Sequence, residues 1–358
     1  MIFTKILVIY PLDLSTKIAI YRNSNLQFLK KIRHKPEELS AFSGISDQWE
    51  FRRSLILKEL QDNEIDLSEI GLVISRGGLI KAVKSGVYEV NEAMLSDLKA
   101  GLNGQHSINL GGMLAHGLLE YLPNARACIA DPVVVDEMED VARMTGHPMF
   151  SRKSVFHALN QKNIARVYAR SVHASYESMN LVIAHMGGGG CSVAAHRQGR
   201  VVDVNQAFDG AGPFAINRTG TLPAGDLVRL CFSGKYDEAA IIRMVTAEGG
   251  LMAHIGTGNI DEIIRKLDQN DEKVRFVMYA MAYQIAKEIA AMYVVLEGNV
   301  DAVLLSGEIF TIQYLTDSIS RHVEKLGKLV VFGSVNDMDA LANNGLMVLS
   351  GETPWLDY

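Results

Sequence analysis

The 358-residue chain has few cysteines, few prolines and no excess of basic residues. Its three cysteines, Cys128, Cys191 and Cys231, form no C-x-x-C pair and are too few for a disulfide framework. With 35 lysines and arginines against 41 aspartates and glutamates, the net charge is −6, which argues against a general nucleic-acid-binding protein. Phosphate ligands are not excluded, because backbone N–H groups bind anions without net charge.

The chain also lacks a recognisable targeting or membrane segment. Its first residues show no apolar stretch followed by a small-residue cleavage site. The most apolar long run, residues 274–296, contains Arg275, Lys287 and Glu288, so we predict a core helix there rather than a membrane span. The expected protein is cytoplasmic, with neither a membrane nor a nucleic acid as partner.

Pattern along the chain predicts two α/β domains, in line with roughly 150 residues per domain. Strands are expected at 6–10 and 17–21, and the second half repeats the theme with strands at 180–185 and 192–196 around a glycine turn, then 200–205. The remaining predicted elements are helices at 47–63, 91–100, 111–121 and 154–174, and strands at 70–75, 126–130 and 301–305.

The strongest local motif is a run of four glycines, Gly187, Gly188, Gly189 and Gly190, directly after His185. Such a run costs backbone entropy and supplies no packing. One interpretation is a loop whose N–H groups approach a phosphate closely, with His185 beside it. The other is a loose hairpin turn, although a turn needs only one or two glycines. The phosphate interpretation is favoured.

A second cluster surrounds Asp209 and Arg218 with the glycines Gly210 and Gly212. An arginine there suits the binding of phosphate or carboxylate, although a surface loop with an incidental arginine explains it equally well. Arg76, at the end of a predicted strand, has the same two interpretations. Asp131 also ends a strand, where acidic residues hold Mg²⁺ in phosphoryl transfer, but an aspartate before a proline is more often a turn former.

Several standard motifs are missing, which narrows the chemistry. The chain has no G-x-x-x-x-G-K-[ST] loop, no H-E-x-x-H and no G-x-S-x-G. These absences remove the simplest P-loop, metalloprotease and α/β-hydrolase interpretations. The histidines at 106, 116, 147, 157 and 173 show no metal-ligand spacing and are expected to be structural or exposed.

Ordered segments through nearly the whole chain resemble one known family. The segments are 15–17 (STK), 75–79 (SRGGL), 90–94 (VNEAM), 131–137 (DPVVVDE), 146–148 (GHP), 152–154 (RKS), 156–162 (FHALNQK), 185–199, and, most specific, 202–207 (VDVNQA) through 209–210 to 222–223. They resemble the butyrate kinases, relatives of acetate kinase in the acetokinase group of the actin-like ATPase superfamily.

The resemblance implies an α/β fold of duplicated actin-like ATPase (ribonuclease H-like) domains with a nucleotide cleft between them. The implied N-terminal domain is 1–155 plus about 338–358, and the implied nucleotide-binding domain is 156–337. A homodimer or higher homo-oligomer is expected.

The implied reaction is phosphoryl transfer from ATP to a short-chain carboxylate, giving an acyl phosphate and ADP. By motif, Arg76 and Arg218 would bind the carboxylate and the phosphoryl group, Asp131 would orient the acceptor or the metal, and His185 would bond to phosphoryl oxygens. The implied nucleotide-binding residues are Ser15, Lys17, Gly187, Gly188, Gly189, Gly190, Asp209, Gly210, Gly212 and Gly307, and the implied Mg²⁺ residues are Asp337 and Asp131.

The chain departs from the family's pattern at contacts expected for phosphate. Tyr10, Leu12 and Asp13 replace an asparagine, a glycine and a serine of the first turn, and Glu308 replaces a glycine. Three hypotheses follow: an active butyrate or branched-chain fatty-acid kinase; a degenerate kinase-fold protein that binds ligand or regulates; and another acid or sugar kinase of the superfamily. The first is favoured.

Overall fold

The computed structural model describes residues 4–333 and 336–358. The chain divides into two compact units, one comprising the chain as far as Asp136 together with Asn336–Tyr358, and the other beginning at Glu137. Residues 137–155, which the sequence-based division assigns to the first domain, bond to a strand of the second unit. The Glu139 amide donates to the Val202 carbonyl (3.0 Å), and Arg152 Nη2 lies 2.8 Å from Asp203 Oδ1.

Both units contain strands and helices. The strands are β1 (Lys5–Leu12), β2 (Ser15–Arg22), β3 (Asn25–Arg33), β4 (Ile70–Arg76), β5 (Val87–Glu89), β6 (Arg126–Ala130), β7 (Asn180–Gly187), β8 (Gly190–Arg197), β9 (Arg200–Val204), β10 (Ala302–Ser306), β11 (Lys328–Phe332) and β12 (Trp355–Leu356). The helices are α1 (Pro36–Leu39), α2 (Trp49–Asp62), α3 (Glu92–Ala100), α4 (Leu110–Gly117), α5 (Asp140–Arg143), α6 (Ala158–Ser171), α7 (Ala224–Cys231), α8 (Glu238–Thr246), α9 (Gly250–Ile255), α10 (Ile260–Asp268), α11 (Glu272–Val295), α12 (Gln313–Val323) and α13 (Asp337–Leu349).

The sheet of the first unit has the order β12-β5-β6-β4-β1-β2-β3. β1, β2 and β3 form an antiparallel meander, β4 pairs in parallel with β1, and β6 pairs in parallel with β4. The strand ends of β1, β4 and β6 therefore meet at one edge of the sheet. Tyr10, Arg76 and Asp131 lie at these ends.

The sheet of the second unit has the order β11-β10-β7-β8-β9. β7, β8 and β9 again form an antiparallel meander, and β10 and β11 add in parallel beside β7. The order β9-β8-β7-β10-β11 repeats the order β3-β2-β1-β4-β6 of the first sheet. The repeated strand–turn–strand pattern in the sequence therefore reflects two sheets of one topology.

Each sheet packs its apolar side chains against helices of its own unit. In the first unit Leu7 and Ile9 of β1 are buried with Leu114 of α4. In the second, Val182 of β7 is buried with Met281 of α11. Each such side chain contributes about 1.5–3 kcal/mol when fully buried. The predicted core helix at 274–296 is α11, and no helix in the described part of the chain is long and apolar enough to cross a bilayer.

A buried arginine fixes the turn between β1 and β2. Arg52 of α2 is 1% exposed. Its Nη1 donates to the carbonyls of Leu12 (2.7 Å) and Ser15 (3.2 Å), and its Nη2 to the carbonyl of Asp13 (2.8 Å). Burial lowers the pKa of the guanidinium to about 10, and the charge of Asp13 opposes that shift. The side chain thus stays charged at neutral pH and satisfies carbonyls that the turn leaves without partners.

We predict that Arg52→Ala lowers the free energy of unfolding of the first unit by about 3 kcal/mol, because it leaves buried carbonyls unsatisfied. Urea titration followed by tryptophan fluorescence measures this change, since Trp49 and Trp355 both belong to that unit. Arg22→Ala, on an exposed position at the end of β2, is the control and is expected to change stability by less than about 0.5 kcal/mol. Equal effects of the two substitutions would contradict the prediction.

Candidate active site

Gly188 and Gly189 form the two-residue turn that joins β7 to β8, because Gly187 and Gly190 are the last pair of the antiparallel ladder. The φ angles of the turn residues are 55° and 90°, the combination of a type I′ turn that strongly favours glycine. A Cβ on Gly188 would meet no atom within 4 Å. The backbone at Gly188 is therefore open to close approach, as a loop that binds an anion through its N–H groups requires.

Gly187 and Gly190 lie within the strands and owe their identity to neighbouring side chains. A Cβ on Gly187 would stand 2.7 Å from His185 Nε2. A Cβ on Gly190 would stand 2.3 Å from Arg218 Nη1 and 2.8 Å from the Ala207 carbonyl oxygen. The run of glycines thus serves two needs: a tight turn, and room for a histidine and an arginine against its flanks.

Arg218 is held against the glycine turn by backbone acceptors. Its Nη1 donates to the Ala207 carbonyl (2.8 Å) and its Nη2 to the Gly188 carbonyl (3.4 Å). The guanidinium also lies over the Phe208 ring, 5.0 Å from the centroid. These contacts fix a cation beside the turn, where it can bind phosphate or carboxylate oxygens.

His185 lies near the end of β7 and is 3% exposed. Its Nδ1 is 3.0 Å from the hydroxyl of Ser306, which is its partner in the parallel ladder between β7 and β10. Its ring centroid lies 4.9 Å from that of His157, with the planes inclined by 60°. His185 is therefore oriented by contacts with β10 and with the residue that precedes α6.

Gly307 follows β10 with a φ of 123°. A Cβ there would stand 2.1 Å from the Met186 carbonyl oxygen, so only glycine fits. The next residue, Glu308, is exposed and begins a short 3₁₀ turn. The extra side chain that the sequence introduces at 308 thus points away from the buried strand ends.

The loop around Asp209 is attached to the same sheet through Asn205. The Asn205 side-chain amide donates to the Cys191 and Ala211 carbonyls (both 3.0 Å). A Cβ on Gly212 would stand 2.3 Å from Asn205 Nδ2, so a larger residue at 212 would displace this amide. Asp209 is exposed and accepts a hydrogen bond from the Gln206 side chain. Gly210 has a φ of 148°.

In the first unit, Tyr10 and Arg76 lie side by side at the ends of β1 and β4. The Arg76 guanidinium is 4.4 Å from the centroid of the Tyr10 ring. The buried Tyr10 hydroxyl bonds to the carboxylate of Asp337, at the start of α13. Burial raises the pKa of Tyr10 above its usual range, Asp337 raises it further, and Arg76 opposes the shift. Tyr10 thus connects two of the predicted site residues, and Lys17 is its partner across the β1–β2 ladder.

Asp131 follows β6 directly and is 2% exposed. Its φ is 37°, a conformation that few residues other than glycine adopt. Its Oδ1 accepts hydrogen bonds from the Ser85 hydroxyl (2.6 Å) and the Gly86 amide (2.9 Å). Strain of this kind is retained where surrounding contacts over-determine the geometry, which is a common property of functional sites.

Comparison with known proteins shows which family the chain that carries these residues resembles. A family model described as the acetokinase family matches residues 137–345. Over 348 residues the chain is 45% identical to the butyrate kinase 2 of Clostridium acetobutylicum, covering 97% of each protein. The chain belongs to the acetokinase family.

A second relative and two solved structures support the same family and fold. The acetokinase chain is 43% identical over 350 residues to a protein of Bacteroides thetaiotaomicron described as a probable butyrate kinase, covering 98% of each. Its fold superimposes on an acetate kinase of Porphyromonas gingivalis with a TM-score of 0.78 at 17% identity, covering 97% of this chain and 100% of the other. A propionate kinase of Francisella tularensis gives 0.74 at 15% identity, covering 95% and 98%. The predicted family and actin-like fold are confirmed.

Each unit of this acetokinase carries groups of the kind that a magnesium–nucleotide complex requires. Within residues 4–333 and 336–358, no group of three or more His, Cys, Asp and Glu side chains is arranged to hold a metal by itself. Magnesium bound to a nucleotide needs less, because it keeps several waters and takes one or two carboxylates plus substrate phosphates. In the first unit Asp131 and Asp337 carry carboxylate oxygens of the kind that magnesium binds. In the second unit, taken by itself, the turn at Gly188 is open to close approach by an anion.

Sequence reasoning missed three residues that shape this site. His157 was expected to be structural or exposed, yet its ring lies against His185. Arg52 belongs to none of the motifs, and Asn205 belongs to the segment 202–207 only as part of the resemblance. Both are buried and donate to backbone carbonyls of the loops they support. The segment 156–162 drew attention to His157 only as part of a resemblance. Nothing in its spacing predicted which partner it would contact.

We predict that Gly190→Ala lowers the free energy of unfolding of the second unit by about 1–3 kcal/mol, because its Cβ displaces Arg218 from the Ala207 carbonyl. Gly188→Asn, on the same turn, is the matched control. Asparagine tolerates positive φ and its side chain enters open space, so a change below about 0.5 kcal/mol is expected. Urea titration followed by circular dichroism measures both, and a more damaging change at Gly188 would refute the analysis of the turn.

Proposed function

We propose that the protein is a carboxylate kinase that transfers the γ-phosphoryl group of ATP to butyrate or a similar short or branched-chain acid. The observation that carries the proposal is 45% identity over 97% of both chains to a butyrate kinase. The conservation of length matters, because it leaves no domain of that relative without a counterpart. Arg76, Asp131, His185 and Arg218 supply the charged and polar groups for this reaction.

The reaction requires positioning more than acid–base chemistry. A carboxylate oxygen of the acid forms a bond to the γ-phosphorus while the bond from that phosphorus to the bridging oxygen breaks, giving an acyl phosphate and ADP. The carboxylate is already ionised at neutral pH, so no general base is needed. Catalysis then rests on orientation and on stabilising charge at the phosphoryl oxygens.

The second unit supplies the groups for the phosphoryl oxygens in this proposal. Arg218 presents a planar cation fixed by the Ala207 carbonyl at 2.8 Å, and such a fork matches phosphate geometry. His185, oriented by Ser306, donates a hydrogen bond to the same group. The turn Gly187–Gly190, with Asp209, Gly210, Gly212 and Gly307 in the adjoining loops, would bind the nucleotide.

The first unit supplies Arg76 for the substrate carboxylate and Asp131 to orient the acceptor or the metal. Ser15 and Lys17, at the start of β2, would contact nucleotide phosphates. Asp337 and Asp131 would hold magnesium, which neutralises charge on the nucleotide phosphates when bound. We further propose a cytoplasmic homodimer or higher homo-oligomer, which size-exclusion chromatography with light scattering tests.

We predict that the purified protein forms an acyl phosphate from Mg-ATP and at least one straight or branched acid of two to six carbons. Hydroxylamine traps the product as a hydroxamate, which is measured directly. Arg218→Lys and His185→Gln should each lower kcat by about 100-fold, the usual effect of losing one donor to the transition state. Arg229→Lys, an exposed arginine on α7, is the matched control and should leave the rate unchanged.

The absence of any hydroxamate across the panel, from protein shown to be folded, would refute the proposed function. Calorimetry with Mg-ADP and Mg-ATP on the same sample then shows whether the protein still binds nucleotide. Binding without turnover would support the degenerate kinase instead, whereas turnover of a different acid or of a sugar would identify another member of the superfamily.

The Tyr10–Asp337 bond provides a further prediction about metal binding. The Tyr10 hydroxyl competes with any cation for the Asp337 carboxylate, so Tyr10→Phe should lower the half-saturating Mg²⁺ concentration several-fold while the aromatic ring still supports Arg76. Calorimetric titration with Mg-ADP measures the change without relying on turnover. Tyr21→Phe is the matched control, because Tyr21 bonds to Asp339 (2.5 Å) on the same helix. An unchanged or weaker response to Mg²⁺ in Tyr10→Phe would contradict the assignment of Asp337.

A further inference from the structure

Helix α6 carries an unusual run of buried polar residues. Asn160, Gln161, Lys162 and Asn163 are 7%, 0%, 1% and 7% exposed, respectively. Lys162 is explained by structure alone, since its ammonium lies 2.6 Å from Glu137 Oε2 and 2.8 Å from the Gly199 carbonyl. Gln161 is not explained in this way, because its hydrogen bonds connect through Ser192 to His157, whose ring lies beside His185. Buried polar side chains of this kind are costly unless they are fully satisfied.

The orientation of the Gln161 amide is fixed by chemistry. Its Nε2 lies 3.2 Å from the Ile183 carbonyl and 3.0 Å from the Ser192 carbonyl. Carbonyl oxygens only accept, so the atom that faces them must be the NH₂ nitrogen. The amide oxygen therefore faces the opposite way, toward His196, and only a donor can lie there.

The side chain of His196 answers that requirement. Its Nε2 lies 2.9 Å from Gln161 Oε1 and must carry the hydrogen. Burial lowers the pKa of His196 well below its usual range, and the charge of Lys162 adds to the effect. The ring is thus neutral, and its Nδ1 accepts from the Tyr176 hydroxyl at 2.7 Å.

The Gln161 amide also determines how this chain of hydrogen bonds continues through Ser192 to His157. Gln161 Nε2 also lies 3.1 Å from the Ser192 hydroxyl oxygen, and this NH₂ group, which has no lone pair to offer, cannot accept the Ser192 hydrogen. Ser192 Oγ therefore turns its own hydrogen toward His157 Nδ1, 3.0 Å away. A neutral His157 that accepts at Nδ1 carries its hydrogen on Nε2.

We propose that Gln161 is a positioning residue that, through Ser192, holds His157 as the Nε2–H tautomer and thereby supports the orientation of His185. The 4.9 Å contact between the two imidazoles transmits the constraint. The functional part rests on the proposed function, in which His185 donates to the phosphoryl group. Preorganised donors of that kind lose much of their effect when displaced by about 1 Å.

The tautomer is measured directly by long-range ¹H–¹⁵N correlation spectra of protein labelled in its ten histidines. We expect His157 and His196 both to show Nε2–H. Gln161→Glu replaces the donor with an acceptor, so Ser192 turns toward the carboxylate and His157 changes to Nδ1–H. Ser192→Ala, a smaller change should Gln161→Glu fail to fold, removes the donor to His157 and gives a mixture of tautomers.

Tyr176→Phe is the matched control, since it removes a buried hydrogen bond at the far end of the same chain. It should leave His157 unchanged, because the carbonyls of Ile183 and Ser192 fix the Gln161 amide without help from Tyr176. A wild-type His157 in the Nδ1–H form, or an Nε2–H form that survives in both Gln161→Glu and Ser192→Ala, would overturn the proposal.

Kinetics test the functional part separately. Gln161→Glu and Ser192→Ala should lower kcat by roughly 10- to 100-fold with less than about a threefold change in KM for nucleotide, whereas Tyr176→Phe should stay within about threefold of wild type. A changed His157 tautomer with unchanged kcat would show that the hydrogen bonds from Gln161 to His157 have only a structural role. If the wild-type protein forms no acyl phosphate, the proposed function fails, and the spectra still decide whether Gln161 sets the His157 tautomer.

Discussion

Parallel pairing between the first and fourth strands of each sheet is the constraint on which both sets of site residues depend. In each sheet a fully buried serine lies at this junction: the Ser75 hydroxyl donates to the Ile9 carbonyl at 2.8 Å, and the Ser306 hydroxyl lies 3.0 Å from His185 Nδ1. The residue after each serine lies at the end of its strand, as the last residue of β4 in the first unit and the first residue beyond β10 in the second. That residue is Arg76 in the first unit and Gly307 in the second. One topology thus presents a cation at one strand end and a closely packed glycine at the other.

Much of the fold could be predicted from apolar patterning, which reports burial directly. The predicted strand at 126–130 is β6, and the predicted helix at 154–174 contains α6, which is shorter at both ends. The third strand, β3, was missed because it lies at the sheet edge and most of its side chains are exposed. The strands expected at 6–10 and 17–21 were too short at the turn between them, since β1 continues to Leu12 and β2 begins at Ser15.

Sequence alone pointed to parts of the candidate site only where a position accepts a single residue type, such as glycine. The glycine run was informative because a type I′ turn favours glycine and the two tight side-chain approaches at Gly187 and Gly190 require it. Leu12 and Asp13 were harder to interpret. Neither has a positive φ, so the first turn forms without the glycine that the family pattern carries, and Arg52 binds its carbonyls instead. His157 could not be assigned because its partners, Ser192 and His185, are distant in sequence and meet only when β7 and β8 pair.

The polar run in α6 has a consequence for how this sequence can change over time. Gln161 bonds to Ser192 and His196 on β8, while Lys162 bonds to Glu137, before α5, and to Gly199, between β8 and β9. Replacing any one of them leaves a buried group without its complement, at a cost of about 1–3 kcal/mol. Single substitutions in this set are therefore costly, and the effects of replacing contacting members together are expected to be non-additive. A helix built in this way resists gradual remodelling even where its residues touch no substrate.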